Sequence, residues 1–213
     1  MSHNPNHELQ SYLQSRIDHA KSPSATKDDL LQLIRSLRTI AEEGRKHIGN
    51  IDKDGVKFCT DNARLIDFNN NFKHYHIPDG TLIICREAIS WRESLTSITM
   101  PNSLIIIGEA AFACCDYLES VEIGDSVAVI GEAAFCGCFA LKNINIPNSI
   151  LAIEKHAFKD CESLQTITIP DSVKLIDEAA FEACDKLESI IISPKSPLLD
   201  ILKERYADIV VVK

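Results

Sequence analysis

Four cysteines recur at intervals of 23 residues in this chain of 213 residues: Cys115, Cys138, Cys161 and Cys184. Thiols in such numbers could bind a metal, form disulfides or carry out redox chemistry. A tetrahedral metal site needs ligands that converge, and an evenly spaced row does not converge. The pairs Cys114-Cys115 and Cys136-x-Cys138 are not C-x-x-C redox motifs. The spacing therefore predicts a ladder of free thiols that pack as small buried apolar side chains.

The histidines form two pairs whose spacing could bind a metal. His74 and His76 alternate along a predicted strand, and His3 and His7 have the i, i+4 spacing of one helix face. Neither pair has a third ligand nearby in the sequence, so no metal site is expected. His156 stands where three other copies of the repeat have alanine, and we interpret it as a surface substitution rather than a catalytic base.

Three glutamates recur with the same period and are interpreted as a solvated edge: Glu109, Glu132 and Glu178. No glycine-rich phosphate loop is present in the sequence, and no nucleophile stands beside a base. We therefore expect no catalytic residues and no cofactor.

The interval of 23 residues is the period of the whole middle of the chain. Five copies follow one another without a gap, and they begin at Ile77, Met100, Ile123, Ile146 and Ile169. A unit of this length cannot bury its own apolar face, so neighbouring units stack into one continuous core. The repeat predicts an α/β solenoid.

Each copy contains the strand pattern L-x-x-I-x-I, in which the apolar residues point inward. Proline and an Asx-Ser turn follow the strand in most copies. Alanine and phenylalanine then provide small and large core positions. The remaining return segment is predicted to form a short helix or 3₁₀ turn.

The consensus of the copies, I-P-[DN]-S-[VI]-x-x-I-[GD]-E-A-A-F-x-x-C-x-x-L, is seen best in Ile169–Leu187. It resembles the BspA-like, or treponemal-type, leucine-rich repeat family over roughly residues 56–212. The resemblance implies a leucine-rich repeat stack with one parallel β-sheet, used for binding or adhesion and without enzymatic activity. The first copy departs from the pattern at Ile89 and Arg92, as suits a terminal repeat.

Four regions are predicted along the chain: a helical hairpin at 1–50, a β cap at 51–76, five leucine-rich repeats at 77–191, and a helix-strand cap at 192–213. In the hairpin, Thr26 and Asp29 resemble a capping box that opens an amphipathic helix ending near His47. In the last region, Ser196-Pro197 predicts a helix start, with a helix to about Tyr206 and a strand at 208–212.

The charge is uneven along the chain. Residues 1–50 carry seven Lys/Arg and six Asp/Glu, a net of +1, whereas the remainder carries fifteen against twenty-five, a net of −10. An acidic solenoid argues against nucleic acid as a partner. No apolar run is long enough for a signal peptide or a membrane span, so the printed sequence predicts a cytoplasmic protein. An extracellular location would follow if its N terminus had been trimmed.

Two surfaces could bind a partner. The first is the outward face of the strands, which we expect to be concave and polar. Its candidate residues are Ser97, Thr99, Ser120, Glu122, Asn143, Asn145, Thr166, Thr168 and Ser189. The second is an apolar stripe expected on the outside of the stack, formed by Ile83, Ile106, Val129 and Leu151. Contiguous exposed apolar surface usually marks an interface.

The apolar stripe could be covered by the N-terminal helices or by another copy of the chain. A hairpin at one end of a stack would reach the far repeats only with difficulty. This reasoning favours self-association as a symmetric homodimer.

The sequence thus predicts a non-catalytic protein–protein interaction scaffold whose partner it does not name. Alternatives are a secreted or surface adhesin that lacks its export signal here, a regulatory domain of a larger protein and, least favoured, an enzyme.

Overall fold

The computed structural model describes residues 5–44, 48–60 and 63–213. These residues form three α-helices: α1 Pro5–Lys21, α2 Lys27–Gly44 and α3 Leu199–Tyr206. The first two make the predicted hairpin, and the solenoid occupies the chain between α2 and α3. The predicted helix end near His47 lies outside the described residues.

The capping box at the start of α2 forms as predicted. The backbone N–H of Thr26 donates to Asp29 Oδ2 at 2.8 Å, and the backbone N–H of Asp29 donates to Thr26 Oγ1 at 3.2 Å. These bonds satisfy donors that have no partner within the helix. The pKa of the Asp29 carboxyl is lowered, mainly because it accepts the Thr26 backbone hydrogen bond.

The strands of the described chain are β1 Ile48–Ile51, β2 Val56–Cys59, β3 Arg64–Phe68, β4 His74–His76, β5 Ile83–Ile84, β6 Ser97–Thr99, β7 Ile106–Ile107, β8 Ser120–Glu122, β9 Val129–Ile130, β10 Asn143–Ile144, β11 Ala152–Ile153, β12 Thr166–Ile169, β13 Leu175–Ile176, β14 Ser189–Ile192 and β15 Val210–Val212. In this part of the chain they form two sheets. The first has the order β1-β2-β3-β5-β7-β9-β11-β13, and the second has the order β15-β14-β12-β10-β8-β6-β4.

The leucine-rich repeat solenoid preceded by a helical hairpin is confirmed, but it has a second parallel sheet where the sequence predicted one. The expected L-x-x-I-x-I strands form the β4–β15 sheet. The additional sheet is the β1–β13 sheet, which is extended by two-residue strands that pair in the repeat register, as Ile106 does with Val129. The reason is that an extended pair of residues in one repeat meets the equivalent pair in the next, and buried backbone groups must be paired.

The return segment is a series of turns rather than a helix. Ala110 and Cys114 have φ values of 50° and 57°, in the left-handed region, which an α-helix does not use. The N–H groups of Ala110, Phe112 and Cys114 donate to the next repeat at 2.7–2.8 Å. Alternate N–H groups, such as that of Ala113, bond within the segment. A helix would have used all of these donors internally, so the turns add a third hydrogen-bonded ladder to the stack.

The core is a set of columns that run through the stack. Phe112, Phe135, Phe158 and Phe181 stack nearly parallel, with ring centroids 5.1, 5.5 and 5.7 Å apart. Beside them, each thiol of the predicted ladder donates to a carbonyl 26 residues earlier. The pairs are Cys115–Ile89 at 3.1 Å, Cys138–Phe112 and Cys161–Phe135 at 3.3 Å, and Cys184–Phe158 at 3.0 Å.

Both ends of the stack are closed. At the first end, β1 and β2 pair antiparallel, whereas β3 and β4 already pair parallel with β5 and β6. At the other end, Tyr206 of α3 covers Phe181 edge-on at 5.9 Å, and β15 adds to β14. The predicted helix begins at Leu199, two residues after Pro197, because Pro197 and Leu198 form a turn. In this turn the backbone N–H of Leu198 donates to Ser196 Oγ at 3.3 Å.

Candidate functional site

The outward face of the β4–β15 sheet, which we call the strand face, carries the predicted polar residues. Ser120, Glu122, Asn143, Asn145 and Thr168 are exposed, and the other four predicted positions are half-buried. Alternate residues of a strand point to opposite faces, so the intervening Ile98, Val121 and their counterparts are buried. The strand face is thus a regular array of hydroxyl, amide and carboxylate groups.

Neighbouring strands on this face are linked by side-chain hydrogen bonds. Thr99 Oγ1 donates to Glu122 Oε2 at 3.2 Å, and the hydroxyls of Thr166 and Ser189 lie 3.0 Å apart. These pairs follow the parallel register of the sheet. Such a surface offers donors and acceptors to a partner, and its groups are held at the strand spacing of the scaffold.

The predicted apolar stripe is covered within the chain. Ile83, Ile106, Val129 and Leu151 are all at most 3% exposed. The apolar face of α2 is also buried, through Leu30, Leu33, Ile34, Leu37 and Ala41. Residues of both surfaces line one small cavity of about 20 Å³. Helix α2 therefore lies on the face of the stack that carries the stripe.

The hairpin reaches the far repeats, although the sequence predicted that it would do so only with difficulty. The start of α2, at Lys27 and Leu31, lies beside Leu175 of the fifth repeat, and its later residues Leu37 and Ala41 lie beside Ile106 of the second. A helix of 18 residues is about 27 Å long, and five strands span roughly 19 Å. The helix runs along the stack rather than projecting from its end, so it covers the stripe without a second copy.

Polar contacts hold the two ends of the hairpin. Lys174 Nζ donates to the carbonyls of Ala20 and Ser22, at 2.7 and 3.2 Å, where α1 ends. Near the end of α2, Glu42 approaches Arg86 at 4.0 Å. The contacts at the fifth and first repeats fix the direction of the hairpin along the stack.

An ion pair at the centre of α2 was missed by the sequence analysis. Arg38 Nη2 lies 3.0 Å from Glu154 Oε2 and 3.3 Å from Glu132 Oε2. Glu154 is only 7% exposed and also accepts the backbone N–H of Glu132 at 2.9 Å. Burial raises the pKa of the Glu154 carboxyl, and the Arg38 hydrogen bond and charge partly oppose this rise.

One signal could have revealed this ion pair. Glu154 stands in a column that holds Gly108 and Gly131 in the two preceding repeats and Asp177 in the next, and an acid that replaces a buried glycine needs a partner. The interpretation of the recurrent glutamates as a solvated edge also needs correction. Glu132 meets Arg38, and Glu109 lies 3.3 Å from Arg86, so only Glu178 of the three is exposed.

The thiols divide by exposure. Cys115, Cys138 and Cys161 are buried, whereas Cys114, Cys136 and Cys184 are partly exposed. Burial raises the pKa of Cys115 and of Cys184 to about 12, and it also raises the pKa of Cys138 and Cys161. Thiols of this kind are poor nucleophiles and poor metal ligands at neutral pH.

The histidines are dispersed. His74 Nδ1 lies 2.7 Å from Ser97 Oγ, His76 is exposed, and His156 Nε2 lies 3.0 Å from Glu182 Oε2. His3, of the predicted His3–His7 pair, lies outside the described residues. Within residues 5–44, 48–60 and 63–213, no three His, Cys, Asp or Glu side chains are grouped to hold a metal ion.

Exposed aromatic residues form the second feature that the sequence analysis missed. Trp91 is 72% exposed, Tyr117 is 60% exposed and Phe139 is 40% exposed. They come from three consecutive repeats and lie on the loops that lead into the strand face. The signal was present in the sequence, since Trp91 occupies a column otherwise held by Cys114, Gly137, Asp160 and Ala183.

Comparison with protein families matches residues 68–188 to the BspA type leucine rich repeat region, in six copies. The chain belongs to this family. The six copies are one more than the five repeats predicted from the sequence. Ahead of the first predicted repeat, β3 and β4 already pair in parallel with β5 and β6.

Solved structures of leucine-rich repeat proteins resemble the chain. A leucine rich cell surface protein from Faecalibacterium prausnitzii A2-165 has 32% identity and a TM-score of 0.62, over 70% of this chain and 38% of its own. The T. pallidum leucine rich repeat protein has 27% identity and a TM-score of 0.60, over 68% of this chain and 69% of its own. A leucine-rich repeat protein from Bacteroides ovatus has 29% identity and a TM-score of 0.53, over 68% of this chain and 47% of its own.

This BspA-type chain therefore corresponds to little more than a third of the F. prausnitzii protein. Comparison with curated protein sequences gives no significant match. No helix among the described residues has both the length and the apolar character needed to cross a membrane.

Proposed function

We propose that the chain is a non-catalytic protein–protein interaction scaffold, and that the strand face receives the partner. The observation that carries the proposal is the difference between the outer faces of the two sheets. One face is occupied by the chain's own hairpin, and the other presents an ordered row of polar side chains to solvent. Repeat proteins with stacked strands commonly bind partners on such extended surfaces.

The chemistry of the strand face supports binding rather than catalysis. Its hydroxyls and amides bond to one another in the repeat register, as Thr166 does with Ser189. Catalysis by a nucleophile needs an adjacent base that is itself oriented by a third group. His74 and His76 of β4 both lie on this face, His74 bonds to Ser97 near the end of the stack, and neither histidine has a carboxylate within hydrogen-bonding distance among the described residues.

A pull-down with a matched control tests the proposal. We expect Ser120→Arg with Asn143→Arg to abolish recovery of the partner, because both positions are exposed at the centre of the strand face. The control is Ser126→Arg with Asn148→Arg, which makes the same two changes at exposed turn positions outside that face. Equal loss from both variants, or from neither, would overturn the use of the strand face.

A surface adhesin is the second candidate function. The observation that favours it is the likeness to the F. prausnitzii leucine rich cell surface protein. The test is whether an antibody against the solenoid labels intact cells of the source organism. Labelling only after permeabilisation would exclude this function.

A further inference from the structure

A hollow of about 450 Å³ opens between two of the exposed aromatic side chains, at the edge of the strand face. Its walls include the rings of Trp91 and Tyr117, and Asn71, Glu93 and Ser94 also line it. The sixth lining residue, Arg92, turns its guanidinium toward Asn69, where Nη1 and Oδ1 lie 3.4 Å apart. We call this feature the aromatic hollow.

The fold does not require the aromatic residue at position 91. The equivalent residues of the other repeats share its left-handed φ, and they are small or polar: Cys114, Gly137, Asp160 and Ala183. A bulky residue in this conformation is strained, and at 72% exposure Trp91 recovers little free energy from burial. Strain of this kind at an exposed site supports a role in binding.

A row of carboxylates runs along the same loops. Four of the five repeats have an acid at the position two residues before the core leucine: Glu93, Asp116, Glu162 and Asp185. We call these the acidic rim. The exception is Phe139, which continues the exposed aromatic series.

The acidic rim is not neutralised within the described chain. None of its four members pairs with a Lys or Arg side chain there, whereas the nearby Glu119 does, with Lys142 at 2.9 Å. Glu93 lines the aromatic hollow, and Asp116 precedes Tyr117 in the chain. Unpaired carboxylates beside exposed aromatic rings suit a cation, because both the negative charge and the ring faces attract one.

We propose that the aromatic hollow and the acidic rim bind a basic, extended segment of a protein partner, with an Arg or Lys side chain held over Trp91 or Tyr117. This inference rests on the proposed function and names the chemistry of the partner. The rim spans four repeat intervals, roughly 19 Å, which an extended segment of about six residues covers. A neutral carbohydrate could also stack on the rings, but it would not use the charge of the rim.

The test uses defined peptides and the fluorescence of Trp91, the single tryptophan of the chain. A peptide of alternating Arg and Ser is titrated into the full chain, beside a matched peptide with Glu in place of Arg and a neutral glucose oligomer. We expect only the Arg peptide to change the Trp91 emission, and we expect its binding to weaken as NaCl rises from about 0.05 to 0.5 M.

Variants locate the site, with binding measured by polarisation of a labelled Arg peptide. We expect Trp91→Ala to weaken binding about tenfold, and Glu93→Gln with Asp116→Asn to weaken it by a similar factor. The control, Asp200→Asn with Glu204→Gln, removes the same charge from exposed positions on α3 and should leave binding unchanged.

Three results would overturn the proposal: no binding of the Arg peptide up to about 1 mM, equal binding of the Arg and Glu peptides, or equal loss in the rim and control variants. A response to the glucose oligomer alone would identify a carbohydrate site instead. The pull-down separates this proposal from the proposed function. Loss of the partner with Ser120→Arg and Asn143→Arg, together with its retention with Trp91→Ala, would support the scaffold function and contradict binding at the aromatic hollow.

Discussion

Arg38 and Glu154 lie 116 residues apart in the sequence and 3.0 Å apart in the structure. The arginine is on α2, and the glutamate is buried at the edge of the fourth repeat. A buried carboxylate without a partner is costly, so this pair favours one position of the helix over those shifted along the stack. The repeated sheet offers similar grooves, and Glu154, which follows Gly108 and Gly131 in its column, distinguishes its own repeat from the two before it.

Removing the arginine should destabilise the chain. We expect Arg38→Met to lower the free energy of unfolding by about 1–3 kcal/mol, because it leaves Glu154 buried without its cation. Arg38 itself is 44% exposed in its side chain, which places the effect below that of a fully buried pair. The measurement is urea denaturation, with Arg35→Met at an exposed position of α2 as the control. Equal stability of the two variants would contradict the role of the pair.

The pair also gives a pH dependence with a definite sign. The pKa of Glu154 is raised above its ordinary value of 4.5, chiefly by burial. The folded chain therefore holds this proton at pH values where the unfolded chain has released it, and the contribution of Glu154 to stability falls as pH rises from 4.5 through that window. We expect wild type to lose stability relative to Glu154→Gln over this range. A difference between the two proteins that does not change with pH would contradict the shift.

The phenylalanine column should be sensitive to truncation. Phe135 is fully buried between Phe112 and Phe158, so Phe135→Ala should cost about 3–5 kcal/mol in denaturant unfolding. The matched control is Phe139→Ala, four residues later, which removes the same atoms from an exposed position and should cost less than about 0.5 kcal/mol. A loss below about 1 kcal/mol at Phe135 would show that the column does not carry the core.

Thiol labelling should follow the exposure of each cysteine in the structure. Cys136 is partly exposed and should react with a maleimide much faster than Cys138, which is buried with a raised pKa. Cys114 should react early as well, because it is also partly exposed. Mass spectrometry of the native protein after short labelling times measures the order. Labelling of Cys138 at the rate of Cys136 would contradict the buried ladder.

Deletion of the hairpin tests what covers the apolar stripe. Removal of residues 1–47 exposes Ile83, Ile106 and Val129 to water, so we expect the truncated chain to self-associate and to bind a hydrophobic dye. Light scattering measures the mass. Leu33→Asp, on the buried face of α2, should have the same effect, and Arg35→Asp on its exposed face should not. A truncated chain that stays monomeric and equally stable would contradict the docking.

The parts of the fold that the sequence predicted are those in which each residue type repeats. The leucine, isoleucine, phenylalanine and cysteine columns follow from spacing alone, because stacking places equivalent residues in contact. The β1–β13 sheet was missed because Ile106 and Ile107 have apolar side chains that explain their burial equally well without a strand. The turns of the return segment were missed because Ala110 and Cys114 adopt left-handed conformations that their residue types do not indicate.

The parts that break the repeat were harder to predict. The position of the hairpin depends on pairs such as Arg38–Glu154, and nothing in the spacing of residues so far apart links them. The glutamate that follows two glycines in its column and the tryptophan in a column of small or polar residues were both visible in the sequence, but only the structure shows which is buried and which is exposed.

The docked helix also limits how the gene for this chain could change. Arrays of this kind can lengthen by duplicating a unit, and each added unit here would move the far end by about 4.8 Å. Lys174 would then be separated from the carbonyls of Ala20 and Ser22, while Glu42 would still face Arg86. A change in the number of units would thus require a matching change of about three residues in α2. The length of α2 is thus matched to the number of repeats in the solenoid.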